Sequence, residues 1–258
     1  MEKNKIYFAS DIHLGSPVLE DPKTTERRFV DWLNRIQNDA KALYLLGDIF
    51  DFWFEYKKVV PKGFTRFLGK IAEMHDQGIE IHFFTGNHDV WMFDYFQTEL
   101  GVSVHREPVR TEIAGKTFYL AHGDGLGDPS RSFRFIRAIF YSRICQFLFR
   151  HFIPSRWGIG FGHWWSNHNR KHDLAAELPY LGEDKEHLVL YAKQYLLQYP
   201  DTDYLLFGHR HIVLDLQLNR RSRMLILGDW MRHFSYVVFD GKDVVFLSFR
   251  NQNYYESF

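Results

Sequence analysis

Two short patterns in this chain carry paired metal-ligating residue types: Asp11-x-His13 and His209-x-His211. On an extended strand residues i and i+2 point to one side, so each pair could face one ion. Asp48, Asn87 and His122 add two oxygen donors and a fourth imidazole, making seven candidate ligands. A mixture of carboxylate, amide oxygen and imidazole suits divalent ions of intermediate hardness and favours Mn²⁺ over Mg²⁺. Seven ligands are too many for one ion that must leave room for a substrate, and about right for two ions sharing one carboxylate. Ion pairs held roughly 3.5–4 Å apart suit in-line displacement at phosphorus. In a chain with 14 histidines a single Asp or His would mean little. The signal lies in the repetition of one arrangement.

That arrangement is an apolar run ending in Gly, Asp, Asn or His. Ala42 to Leu46 leads into Gly47-Asp48, Ile6 to Ala9 into Ser10-Asp11-Ile12-His13, and Ile79 to Phe84 into Gly86-Asn87-His88-Asp89. Thr117 to Ala121 leads into His122-Gly123-Asp124, Asp203 to Phe207 into Gly208-His209-Arg210-His211, and Met224 to Leu227 into Gly228-Asp229-Trp230. Short continuous apolar runs stopped by turn residues read as buried parallel strands. Open α/β sheets place their chemistry at the carboxyl ends of such strands. Helical spacing is read over Thr24 to Asp39, Pro61 to Gln77 and Glu186 to Tyr199, with a short helix before Gly101. Ala114-Gly115-Lys116 reads as a hairpin turn, and Ser235 to Phe239 and Val244 to Phe249 as antiparallel strands around Asp240-Gly241.

The ordered motifs Asp11-x-His13, Gly47-Asp48-x-x-Asp51, Gly86-Asn87-His88-Asp89, His122-Gly123-Asp124 and Gly208-His209-x-His211 resemble the full series of the calcineurin-like metallophosphoesterases. The resemblance implies an α/β fold, a four-layer α/β/β/α sandwich with a dinuclear site. It implies one ion held by Asp11, His13, Asp48 and His211, and another by Asp48, Asn87, His122 and His209. Read from its own position, His88 follows a ligand and would reach a phosphate at the metals. A carboxylate partner such as Asp51 would keep it oriented and cationic, able to stabilise charge at phosphorus or to protonate the leaving group. The plainer alternative is that His88 only orients Asn87. Finer features, Ser10 to Gly15, Asp51-Phe-Trp53 and Leu227-Gly-Asp-Trp230, resemble the subgroup that hydrolyses the pyrophosphate of UDP-2,3-diacylglucosamine in lipid A synthesis. Better-known members of that subgroup carry Arg where this chain has His88 and Glu near Asp51. An alternative within the same fold is a phosphoesterase acting on a soluble nucleotide or other phosphoester.

One cysteine, Cys145, excludes an internal disulfide and fits a reducing compartment. The first residues run straight into a strand without the apolar core of a signal peptide, and no stretch is long and apolar enough for a membrane-spanning helix. A cytoplasmic protein bound peripherally to the inner membrane is expected, organised as one domain over 1–258 with a helical cap insertion at about 126–181. The zero net charge hides an asymmetry. Between Pro129 and His172 there is no acid but seven arginines and Lys171, which suggests an anionic partner. From Arg131 to Phe152 the spacing is helical, yet apolar residues fall on all sides, as in a helix that is buried or meets lipid. Phe140, Phe147, Leu148 and Trp164 are candidate walls for acyl chains. Arg131, Arg170 and Lys171 are candidate contacts for phosphates or lipid head groups, with Asp124 a further substrate contact. The stretch is too apolar for a nucleic-acid groove, so no nucleic-acid partner is expected. A non-catalytic scaffold is disfavoured because all seven ligand positions are filled. An oligomer interface or a second core is the plainer reading of the insertion.

Overall fold

The computed structural model describes residues 3–16, 21–128, 130–154, 156–158, 160 and 179–250, with the backbone alone at 131–134. Two sheets face each other. The first has strand order β11-β10-β1-β2-β3-β4, built from β1 (Lys5–Ala9), β2 (Ala40–Leu46), β3 (Glu80–Phe84), β4 (Ser103–His105), β10 (Ser235–Phe239) and β11 (Val244–Ser248). The second has order β5-β6-β7-β9-β8, from β5 (Val109–Ile113), β6 (Lys116–Ala121), β7 (Tyr204–Phe207), β8 (Val213–Gln217) and β9 (Arg223–Leu227). β1 to β4 run parallel to one another, as do β6, β7 and β9. The six strands that carry the sequence motifs are therefore parallel within each sheet. β8 pairs antiparallel with β9 and has no counterpart among the sequence expectations.

The period-2 alternation of each strand decides which side chains enter which layer. In β1 and β2, Ile6, Phe8, Ala42, Tyr44 and Leu46 point between the sheets and meet Phe118, Leu120, Leu206 and Leu225. Tyr7, Ala9, Leu43 and Leu45 point outward onto Phe29, Trp32, Leu33, Phe67 and Ile71 of two helices. These are α1 (Pro22–Ile36) and α2 (Thr65–Asp76). The outer face of the second sheet packs on Leu188, Val189, Ala192 and Leu196 of α6 (His187–Gln198). This gives the α/β/β/α layering implied by the motif resemblance.

Helix ends explain two departures from the sequence reading. α1 starts where Asp21 caps it, its carboxylate accepting from Thr24 N at 3.1 Å, with Pro22 in the first turn. α2 begins at Thr65, not Pro61, because Phe64 adopts φ 58°, a left-handed conformation incompatible with the helix. Its first amides are met from α1: Glu26 Oε1 accepts from Arg66 N and Phe67 N at 2.9 and 3.2 Å. α3 (Tyr95–Leu100) is stopped by Gly101 at φ 67°.

The expected helix over Arg131 to Phe152 is two helices, α4 (Arg131–Tyr141) and α5 (Arg143–Phe152). Ser142 leaves the helical region at ψ 118°, and its side chain accepts from Cys145 N at 3.4 Å, capping the second segment. The break also corrects the reading of apolar residues on all sides. Phe140, Tyr141 and Phe149 turn inward onto Phe54, Val90 and Trp91. Phe135, Ile139, Ile144, Phe147, Leu148 and Phe152 are exposed. Among the described residues, no helix is long and apolar enough to cross a membrane.

Candidate metal centre

The ligand candidates sit just beyond the strands, in loops whose backbone is unusual. Asp11, His13, Asp48, His209 and His211 all have φ between 50° and 68°. Positive φ costs a non-glycine residue free energy and persists only where surroundings over-determine it. Here they do. Asp11 N donates to Gly47 O at 3.1 Å, His13 N to Asp48 O at 3.0 Å, Gly208 N to His122 O at 2.9 Å and Trp230 N to Asp11 O at 3.0 Å. The i, i+2 pairs thus converge through left-handed turns, not through the side alternation of an extended strand. Two glycines permit the close approach. A Cβ on Gly47 (φ 89°) would lie 2.4 Å from His122 Nδ1, and one on Gly86 would lie 2.2 Å from Asp48 Oδ1.

The imidazoles are turned the same way. His122 Nδ1 lies 2.9 Å from Leu46 O, a carbonyl that can only accept, so Nδ1 carries the proton and Nε2 offers its lone pair. That Nε2 faces Asn87 Oδ1 at 3.3 Å and Asp48 Oδ2 at 3.5 Å. His13 Nε2 lies 3.7 Å from Asp48 Oδ2, 3.8 Å from Asp11 Oδ1 and 3.3 Å from His211 Nε2. His211 directs Nε2 to Asp11 Oδ1 at 3.3 Å and Nδ1 to Asp229 Oδ2 at 3.5 Å. His209 packs edge-on to His122 at 5.2 Å between ring centroids, and its backbone N donates to Asp11 Oδ2 at 3.0 Å. Ligand atoms of Asp11, His13 and His211 lie within 4.8 Å of one another, as do those of Asp11, Asp48 and His122. Inward Nε2 atoms whose opposite nitrogens are held by carbonyl or carboxylate oxygens are the usual arrangement of metal-binding histidines. The seven residues singled out in the sequence are all brought to this locus.

Electrostatics show a locus that favours positive charge. Burial raises the Asp11 carboxyl above its ordinary value. Burial would do the same to Asp48, but His122, His88 and His13 hold it well below the carboxylate range. Burial disfavours charge on His122 and His211, yet Asp48 raises the former and Asp11 the latter. Burial and the neighbouring His122 push His209 down to about 4, leaving a neutral ring fit to ligate. Two buried carboxylates facing each other need positive charge between them, and divalent ions fit the donor set that surrounds them.

His88 and Asp51 also meet at this locus. His88 Nδ1 lies 2.9 Å from the main-chain carbonyl of Asp51, which fixes the ring. The Asp51 carboxylate lies 4.0 Å from His13 Nδ1, and ligand atoms of His13, Asp51 and His88 fall within 4.8 Å of one another. His88 N also donates to Asp48 Oδ1 at 2.9 Å.

Three structural residues escaped the sequence reading. Asp89, fully buried, accepts from Gly86 N, Ile49 N and Phe50 N at 2.7, 2.8 and 3.3 Å, tying the Asp48 loop to the Asn87 loop. Asp229 orients His211 and accepts from Met231 N and Arg232 N at 3.0 and 2.6 Å. Glu55 accepts from Phe93 N and Asp94 N at 2.7 and 2.9 Å, capping α3. Asp89 stands in the motif Gly86-Asn87-His88-Asp89 and Asp229 follows Gly228, so position at a strand end was the available signal.

Among the expected substrate contacts, Asp124 is buried and accepts from Arg137 Nε at 2.9 Å and Tyr141 OH at 3.1 Å, which fastens α4 beside His122. Phe140 packs inward on Trp91, with ring centroids 5.6 Å apart, while Phe147 and Leu148 are exposed. Trp164, Arg170 and Lys171 and the side chain of Arg131 lie outside the described residues.

Residues 4–213 match the model of the calcineurin-like phosphoesterases. The chain is 45% identical over 254 residues to the UDP-2,3-diacylglucosamine hydrolase of Porphyromonas gingivalis, covering 94% of this chain and 97% of that protein. It is 25% identical to proteins of the same name from Shewanella pealeana (94% of this chain, 98% of that one) and Neisseria gonorrhoeae (93% and 96%). With the strand-end motifs of two facing sheets gathered at one locus and the match spanning most of its length, the chain belongs to the calcineurin-like phosphoesterase family.

Proposed function

We propose that this protein is a metal-dependent pyrophosphatase that hydrolyses UDP-2,3-diacylglucosamine to UMP and 2,3-diacylglucosamine 1-phosphate, the acyl chains being met by the helical cap at a membrane surface. Two divalent ions, with Mn²⁺ favoured by the O/N donor mixture, would be held by Asp11, His13, Asp48 and His211 and by Asp48, Asn87, His122 and His209, supplying positive charge at the phosphate oxygens and acidifying water. His88 serves the substrate itself. With Nδ1 committed to the Asp51 carbonyl, Nε2 is the atom through which it exchanges a proton with the leaving oxygen or stabilises charge at phosphorus. Asp51 positions His88 and His13. The whole chain acts as one unit in which residues 126–181 form the cap.

The observation that carries this reading is the juxtaposition of the metal centre with the cap's exposed apolar face. Asp124, two residues past His122, anchors α4. From there outward, nine large apolar residues between Phe135 and Trp157 are exposed, Phe152 and Trp157 each at 73%. So many exposed large apolar residues on one insertion favour a lipid or partner contact. The 45% identity to a hydrolase of this substrate over nearly its whole length supports the same reading. The test is product analysis of the purified protein with UDP-2,3-diacylglucosamine. UMP and the lipid 1-phosphate should form with Mn²⁺ and should cease to form with excess chelator. Equal turnover of the deacylated UDP-sugar would favour a soluble nucleotide or phosphoester instead.

A further inference from the structure

The turn His209-Arg210-His211 gives one candidate ligand to each proposed ion, and its two histidines hold φ 68° and 52°. Between them, Arg210 reaches a carboxylate on another element. Its Nε donates to Glu186 Oε1 at 2.6 Å and its Nη2 to Glu186 Oε2 at 3.0 Å. We propose that Glu186, acting through Arg210, is a positioning residue that holds His209 and His211 at the angle from which both ligate. This rests on the metal-dependent reading above and adds to it a residue outside the seven ligands.

Glu186 stands on a firm base. It is fully buried at the start of α6, its N donating to Gly182 O at 2.9 Å and its O accepting from Leu190 N at 3.0 Å. Its carboxylate makes no capping bond to its own helix, and both oxygens go to Arg210. Leu188 and Val189 share one core cluster with Ala121, Phe207 and Ile212. Those three stand beside His122 and at either end of the turn. A Cβ on Gly127 would lie 2.6 Å from His187 O. One on Gly123 would lie 3.3 Å from Leu188 Cδ1 and 3.5 Å from His209 Cβ. The start of α6 therefore lies against the loops that carry both His122 and His209.

The turn needs such a hold. Left-handed backbone at two non-glycine residues is unfavourable and persists only under tertiary constraint. Part of that constraint comes from the other ligand loops. Gly208 N donates to His122 O and His209 N to Asp11 Oδ2, while His211 meets Asp11 and Asp229. Arg210 N turns back to Gly208 O at 2.8 Å and closes the turn on itself. The guanidinium supplies the tie to α6. A buried ion pair adds little net stability, because desolvation offsets attraction. Its two parallel bonds fix direction instead, since a planar fork meets a carboxylate in one orientation. An aliphatic side chain at this position would fill space without orienting the turn.

The test separates position from charge. Mn²⁺ affinity of the full chain is read from the electron paramagnetic resonance signal of free Mn²⁺, for wild type, Glu186→Gln, Arg210→Met and the double variant. Both single variants should bind Mn²⁺ about 10-fold more weakly, the lower end for residues that orient ligands. The double variant should lie within about 3-fold of either single one, because losing one partner already releases the other. If the pair acted by charge alone, Glu186→Gln would weaken binding and Arg210→Met, which removes a cation, would strengthen it. That opposite sign would overturn the proposal, as would unchanged affinity in both single variants alongside lost folding stability. The double variant leaves no unpaired buried charge and decides the matter should a single variant fail to fold. Positioning predicts weak binding in it, whereas charge alone predicts nearly wild-type affinity. A wild type that takes up no Mn²⁺ would sink the metal-dependent reading and this inference together. Wild-type uptake with unaffected variants would sink this inference alone.

Discussion

The metal centre and the cap are built on opposite principles. At the centre Asp11, His13, Asp48 and His122 are all nearly inaccessible, and each loop is held by main-chain hydrogen bonds to another strand end. Left-handed backbone at five ligand positions is sustained by that network. The cap has a small inward foothold, Phe140, Tyr141 and Phe149 on the Trp91 cluster, and a broad apolar face turned outward. The centre is held together by the chain's own hydrogen bonds. On the proposed function, the cap would complete its burial against acyl chains. On the same reading, chemistry is separated from selection: one region would fix where phosphorus is attacked, the other which molecule is held there.

Substitutions can break this contrast in decreasing order of effect. Asp48→Asn removes the carboxylate facing both His13 and His122. Metal content per chain, measured by elemental analysis, should fall, and turnover should drop beyond the ~10⁴-fold that marks the upper end for an acid–base residue. Full activity with metal absent would end the metal-centre assignment. His88→Ala should cost about 10²–10⁴ in turnover with metal content near normal, as expected for a group acting on the substrate. Metal loss in parallel with rate would make His88 an orienting residue for Asn87.

Asp89→Ala tests whether the rigidity of the centre is tertiary. It strips three backbone amides of their shared buried acceptor. Chemical unfolding should show a loss of about 2–4 kcal/mol, from roughly 1–3 kcal/mol per unsatisfied group with partial relaxation. A change below about 0.5 kcal/mol would mean that the loops hold without it. The cap answers with the smallest effect on stability. Phe147→Ser with Leu148→Ser should leave unfolding within about 0.5 kcal/mol, since both are exposed. The same variant should lower kcat/KM for the diacyl substrate about 10-fold more than for a generic phosphodiester, because each buried methylene contributes about 0.8 kcal/mol. Equal losses on both substrates would reduce the cap to a structural cover.

Much of this was legible in the sequence because it depends on local pattern. Strand runs such as Ala42 to Leu46 are continuous and apolar, and their ends are punctuated by Gly and Asp. The turn at Asp240-Gly241 and the stop at Gly101 follow from backbone preferences of single residues. The seven ligand types are visible because few other roles place Asp, Asn and His at strand end after strand end. What the sequence could not decide is whatever depends on residues distant in the chain. Glu26 caps α2 and Glu55 caps α3 across about forty positions. The break at Ser142 divides an otherwise helical spacing because Phe140, Tyr141 and Phe149 dock on the Trp91 cluster. The orientation of His88 comes from a main-chain carbonyl, an acceptor every residue possesses and no side-chain pattern reveals. Side-chain type and periodicity are written residue by residue. Hydrogen bonds between loops exist only once two sheets bring their strand ends together.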